Sequence, residues 1–491
     1  MKKNVCFVLT VIVLSLCCLG MNSQATPKNS YAESLFTIGE IASVEINMPD
    51  STWQAIIEHA RNKQYHACSI TINGERFDSI GIRTKGASSL DDVTNMKSDR
   101  YSFTLKLNKY KKGQKYHGMT KLLLNNNIWD ATQIKDAVVY DMCRYIGLPA
   151  PLTNYARITV NGKYHGCYLM VEAVDKHFCK RNYSDEKTNL YKPYHNLAYT
   201  GDDLKKYADI SNFAKVRGDE ASMRRVVTAL KSVDECKDIE EHVDVESVMK
   251  YMALQTIVVN YDCMTGKNVQ NYYLREADGK ISLIPWDYNL AWGGYPDDEG
   301  DFEGFGDFDP EKWKTWFDSL SQEQRDSMQQ AFSQQWIDAP MTESSWSKED
   351  VSKIVNFPID TPFTSKLSKR TFFMNLLANE AYKTRYYHYL NVLCNQYIKG
   401  GGFKKTVDTI NKEIGSFVGT EENAFYSSNR FYKAMQTFDT LLQKRAASVL
   451  GQINGSIPST WDAQKADPEK LINSDDINLS DLGGLMVIEK K

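Results

Sequence analysis

The hydrophobic pattern changes character along the chain. From Ile41 to Val171, apolar residues fall in short runs, several of them alternating with polar ones: Ile41–Met48, Cys68–Gly74, Ser79–Thr84, Tyr101–Leu107, Lys121–Asn127, Ala156–Asn161 and Cys167–Val171. Alternation at period two predicts strands, and Asn73-Gly74 and Asn161-Gly162 mark hairpin turns. Helical spacing interrupts this at Trp53–Arg61 and at Ile134–Ile146, the latter stopped by Gly147 and Pro149. From Asp202 onward the period is almost wholly helical, apart from one hairpin. The expectation is an α+β fold, with a sheet-rich N-terminal lobe over 41–178 and a mostly helical lobe over 179–450. Residues 26–40 read as a loose leader and 451–491 as a polar, loosely ordered tail, with Leu485–Ile488 a candidate docking segment.

The stretch from Val245 to Gly294 holds the densest candidate chemistry. Val248, Met249, Met252 and Ile257 predict a buried amphipathic helix. A polar loop, Tyr261-Asp262-Cys263-Met264-Thr265-Gly266-Lys267-Asn268, follows it. Asn271–Leu274 and Lys280–Ile284 then read as a hairpin across Asp278-Gly279, leading into Pro285-Trp286-Asp287-Tyr288-Asn289. Asp262 and Asn271 therefore precede one strand and Asp287 follows its partner, all at one mouth. Two carboxylates and an amide suit a hard cation and a proton transfer. Trp286 and Trp292 read as packing platforms.

A second candidate lies where the third run ends: Gly81-Ile82-Arg83-Thr84-Lys85-Gly86-Ala87-Ser88-Ser89. Glycine, two cations and two hydroxyls after a strand can cradle phosphate. Lys106, on the polar face of the next strand, is a further cation. The segment Tyr295–Glu311 is acidic and glycine-rich, lacks EF-hand spacing, and would favour a basic partner.

Composition narrows the classes. A 42% hydrophobic chain of 491 residues can bury a large core. Its formal net charge of -3 gives no global pull toward nucleic acid or membrane. Lys2-Lys3, the apolar run Val5–Leu19 and Ser23-Gln24-Ala25 predict an export signal over residues 1–25, with Cys17 and Cys18 as candidate lipidation sites. The seven cysteines beyond it are scattered without CxxC spacing, which predicts buried thiols rather than a zinc site or a dense disulfide framework. No HExxH or GxSxG is present.

Taken together, Gly81–Ser89, Lys121–Asn126, Val160–Tyr168 with Glu172 and Asp175, and Ile284–Gly294 resemble the spore-coat protein H (CotH) kinase family over roughly residues 40–450. The resemblance implies a divergent two-lobe protein-kinase-like fold that moves the ATP γ-phosphoryl to Ser or Thr of a protein, with Mg²⁺ or Mn²⁺. It implies that Asp262 and Asp287 are catalytic and that Asp287 and Asn271 ligate metal, with Asn268 the rival for the amide. Arg83, Lys85, Ser88, Ser89, Lys106 and Glu172 would contact nucleotide, Glu172 at an interlobe hinge, and Asp136 is the candidate helix acid paired to the lysine. Expected partners are a basic, Ser/Thr-containing protein and no nucleic acid, with a membrane only through lipidation. The expected location is periplasmic, cell-surface or secreted. Two other functions fit the residues: an exported non-catalytic scaffold, and a secreted glycan hydrolase using the paired carboxylates.

Overall fold

Three Asn-Gly or Asp-Gly pairs set the strand registers. At Asn73-Gly74, Asn161-Gly162 and Asp278-Gly279 both residues take positive φ (47° and 86°, 50° and 79°, 53° and 81°). That backbone lets a two-residue turn follow the twist of its strands. The turns join β2 (His66–Ile72) to β3 (Glu75–Lys85), β6 (Thr153–Val160) to β7 (Lys163–Glu172), and β9 (Tyr272–Ala277) to β10 (Lys280–Pro285). The structure, a computed structural model, describes residues 30–185, 188–211, 218–266, 269–295, 346–363 and 371–485. The export signal, Asn268 and the acidic segment beyond Tyr295 lie outside the described residues.

With β1 (Ala42–Asn47), β4 (Ser102–Lys106) and β5 (Lys121–Asn125), the first seven strands run in the order β1-β2-β3-β4-β5-β7-β6 and close into a barrel. Closure comes from a parallel pairing of β1 with β6, Ala42 opposite Ala156 through Ile46 opposite Val160. The N-terminal part is sheet-rich as expected, but a closed barrel is not the open sheet of a typical two-lobe kinase. The physical reason is edge pairing: β1 and β6 would otherwise each expose a row of unpaired N–H and C=O groups. Alternate residues such as Val44, Ile70, Ile82, Phe103, Leu122 and Ile158 fill the barrel.

The outer face of β5, β7 and β6 is apolar too. Leu123, Leu169, Val171 and Tyr155 join the helix Lys135–Tyr145 in a second core that continues into the helical part. At its centre is the helix Val245–Val258, capped by the Asp244 side chain on Ser247 N. Apart from Glu246 and Lys250 this helix is buried on every side rather than amphipathic. The helices Glu380–Asn391 and Ser428–Ile453 pack near it. A short strand absent from the sequence pattern, β8 (Asn189–Tyr191), pairs with β9 and makes the central hairpin three-stranded.

Two segments expected to be loose are docked instead. From Ser30 the leader packs on the barrel: Tyr31, Leu35 and Phe36 are buried, and Asn154 donates to the Leu35 and Glu40 carbonyls at 3.0 and 2.8 Å. In the tail, Leu479 and Leu482 are buried, Lys433 pairs with Asp481 at 2.9 Å, and Ala131 N donates to Leu482 O at 3.0 Å. A few apolar anchors outweigh the polar composition of each segment. Cys68, Cys143, Cys167, Cys179, Cys263 and Cys394 are buried free thiols, and Cys236 is exposed. No helix among the described residues is long and apolar enough to cross a membrane.

Candidate active site

The pairing of Tyr272 with Pro285 ends the hairpin, so Asn271 and Trp286 emerge beside each other with Asp287 one residue on. The helix Val245–Val258 exits through Val259, at φ 43°, into the buried Asn260. Asn260 Oδ1 accepts from Asp262 N at 3.0 Å, while its Nδ2 donates to Asp287 O at 3.4 Å. One buried amide thus ties together the two loops that carry the aspartates.

The Asp262 carboxylate is held by amides. Gln270 Nε2 donates to Oδ1 at 2.6 Å, and Asn271 Nδ2 donates to Oδ2 at 2.9 Å and to the Asp262 carbonyl at 2.8 Å. Asp287 takes a left-handed backbone, φ 63°, a strained conformation for a residue with a Cβ. The helix Lys135–Tyr145 secures that turn: Asp287 N donates to Tyr140 Oη at 3.0 Å and Tyr288 N to Asp136 Oδ1 at 2.6 Å. Trp286 and Trp292 serve packing, Trp286 edge-on to Tyr273 and Trp292 edge-on to Phe438.

Positive charge comes from β3. Lys85, the last residue of that strand, donates through Nζ to Asn125 Oδ1 at 2.6 Å. Burial pushes the Lys85 pKa down, and the nearby charges of Asp287 and then Asp136 pull it back up. Burial, reinforced by the charge of Asp287, pushes the Asp136 carboxyl up to about 7, against the Tyr288 hydrogen bond and Lys85. Arg83 lies two residues back on the same face of β3, its guanidinium 5.3 Å from the Tyr65 ring centre. Ser88 and Ser89 open the helix Ser88–Asn95, whose N-cap residue Ala87 makes no side-chain cap. The first N–H groups of a helix have no intrahelical acceptor, and here they follow directly on the end of β3.

The other two predicted contacts lie elsewhere. Lys106 sits opposite Gly81, whereas Lys85 sits opposite Ser102; four residues of strand separate the rows by about 13 Å. The buried Glu172 accepts from Tyr31 Oη at 2.5 Å, Arg181 Nη2 at 2.6 Å and Leu152 N at 3.1 Å, and none of these partners belongs to the hairpin mouth. The structure gathers Asp262, Asn271, Asp287 and Lys85, and leaves Lys106 and the Glu172 carboxylate outside that group.

It also adds residues that sequence reasoning missed. Asn260 lies two residues before Asp262, an Asx-turn spacing that could have marked it. Asn125 and Tyr140 act from distant elements. Lys192 follows β8, and its Nζ lies 5.8 Å from the Tyr273 ring centre and 5.7 Å from that of Trp286. Burial lowers the Lys192 pKa, with Asp287 and then Asp262 raising it, so it senses both aspartates.

The donor set fits a magnesium-type ion. No group of three or more His, Cys, Asp or Glu gathers among the described residues. Mg²⁺ takes one or two carboxylates and completes its shell with phosphate and water. Asp287 supplies a carboxylate, and Asn271, whose Nδ2 is committed to Asp262, is left with its carbonyl oxygen as ligand.

Comparison with known proteins adds two findings. A model of the family described as CotH kinase protein matches residues 82–356 and 338–449. Inner spore coat protein H of Bacillus subtilis (strain 168) is 23% identical over 234 residues, which cover 45% of this chain and 61% of that protein. The match thus spans about three-fifths of the relative's length.

Proposed function

Because this chain belongs to the CotH kinase family, we propose that it transfers the γ-phosphoryl group of ATP to a Ser or Thr hydroxyl of a protein. The observation that carries this reading is the single amide of Asn260 joining the Asp262 and Asp287 loops at one hairpin mouth. In this reading the barrel serves as the nucleotide-side lobe of a kinase-like pair and the helical part as the catalytic lobe.

Asp262 aligns the acceptor hydroxyl and takes its proton, its carboxylate fixed by Gln270 and Asn271. Asp287 and the Asn271 carbonyl oxygen hold the cation. Mg²⁺ or Mn²⁺, when bound, offsets phosphate charge. Lys85, steadied by Asn125, meets the α- and β-phosphates with Arg83 behind it, and the N–H groups at Ser88 and Ser89 complete the cradle. Asp136 has two roles, holding the Asp287 turn through Tyr288 N and lending negative charge to Lys85. The acceptor is a basic segment carrying Ser or Thr, and the setting is a coat or cell surface reached by export.

The test is incubation with Mg²⁺ and labelled ATP, followed by identification of phosphoserine or phosphothreonine. Asp262→Asn should slow transfer by roughly 10²- to 10⁴-fold and leave nucleotide binding intact. Nucleotide bound with no transfer to any protein would favour the scaffold reading. No nucleotide bound, with sugar released from surface polysaccharide, would favour the hydrolase.

A further inference from the structure

β8 is only three residues long, but it brings a lysine to the site. Tyr191 pairs with Leu274, so the next residue, Lys192, arrives beside Tyr273. There its ammonium lies against the faces of Tyr273 and Trp286, 5.8 and 5.7 Å from the ring centres. Such rings hold a cation in place without supplying a counter-charge. Trp286 precedes Asp287, and Lys192 is the one cation whose electrostatic partners are both Asp287 and Asp262 among the described lysines and arginines with shifted pKa values. Lys85 feels Asp287, Lys192 and Asp136, so the two lysines stand in one charge cluster. The two lysines reach the site from different elements, Lys85 from the end of β3 and Lys192 from just past β8.

We infer that Lys192 grips the γ-phosphoryl group itself, a fixed cation delivered from an edge strand beside Asp262 and Asp287. The assignment rests on the phosphotransfer reading above. In the transfer, the bond from phosphorus to the β–γ bridging oxygen breaks and its electron pair stays with ADP. The bond to the acceptor oxygen forms, and the acceptor's proton goes to Asp262. Lys192 keeps its proton throughout and stabilises the charge on the equatorial oxygens. With the ammonium already between two rings, little side-chain freedom is lost when the phosphate arrives.

The experiment compares wild type with Lys192→Gln and Lys192→Arg. Each is titrated by calorimetry with Mg²⁺ and either ADP or a non-hydrolysable ATP analogue, and melted without ligand. Lys192→Gln should weaken the triphosphate analogue by roughly ten- to a hundredfold, the range for losing a charge-assisted hydrogen bond, and leave ADP affinity unchanged. Lys192→Arg should restore part of the difference. Equal weakening of both nucleotides, or a lowered melting point with no change in their ratio, would give Lys192 a purely structural role and overturn the assignment. Wild type that binds neither nucleotide would remove the phosphotransfer reading, and this inference with it.

Discussion

Asn260→Ala is the sharpest perturbation of the site, because it removes no group proposed to contact nucleotide or cation and acts only through the backbone of the two aspartates. The Asn260 side chain is buried, accepts from Asp262 N at 3.0 Å and donates to Asp287 O at 3.4 Å. Alanine leaves Asp262 N, the stronger partner, without its acceptor, at a cost of about 1–3 kcal/mol. The longer bond to Asp287 adds less, so the total loss of stability should be about 2–3 kcal/mol. The functional loss should be larger. Freed of the shared amide, the two loops can drift apart, and a displacement of order 1 Å at a reacting group costs about 10²-fold in rate. Asn260→Asp separates the contributions, since it keeps the acceptor for Asp262 N but replaces the donor to Asp287 O by a repelling carboxylate oxygen. Urea unfolding gives the stability change, and single-turnover transfer at saturating nucleotide gives the rate. Transfer within twofold of wild type in a folded Asn260→Ala protein would refute the claim that this amide holds the aspartates together.

Two further predictions concern the scaffold. Burial pushes the Glu413 carboxyl, which accepts from Gly39 N at 2.9 Å, up to about 7, opposed by that hydrogen bond. The folded state therefore holds this proton more tightly than the unfolded chain. The stability it contributes is full below about pH 4 and is lost as pH rises through about 7. Urea unfolding across that window should show a fall of about 1–3 kcal/mol after allowing for partial solvent screening, absent in Glu413→Gln; a variant with the same slope would place the effect elsewhere. Arg445 is fully buried and donates to the carbonyls of Val355, Phe357 and Thr256 at 3.1, 2.7 and 2.7 Å. Arg445→Met should cost at least about 3 kcal/mol by stranding those oxygens, and a loss below about 1 kcal/mol would show that the helical core relaxes around them.

Local chemistry made much of this readable in advance. The three hairpin turns follow from Asn-Gly and Asp-Gly alone, and Asp262, Asn271 and Asp287 lie within one helix–loop–hairpin whose geometry is set by near neighbours. What stayed hidden depends on distant pairing. β1 meets β6 across more than a hundred residues, so barrel closure has no local signal. Lys192 follows a strand of three residues, too short for periodicity to register. Glu172 reads as a strand exit at an interlobe hinge, yet Arg181, one helix later, and Tyr31, from the leader, converge on its carboxylate. The tail looks polar because its anchors, Leu479 and Leu482, are two residues in a long hydrophilic run.

The central claim is that Asp287 and Asp262 flank one seat for a cation and a triphosphate. It is tested most directly by electron paramagnetic resonance of Mn²⁺ titrated into the protein with and without a non-hydrolysable ATP analogue, in wild type, Asp287→Ala and Asp262→Asn. The account predicts a protein-bound Mn²⁺ signal that requires nucleotide, disappears in Asp287→Ala and persists in Asp262→Asn. A bound signal unchanged by Asp287→Ala, or one indifferent to nucleotide, would contradict it.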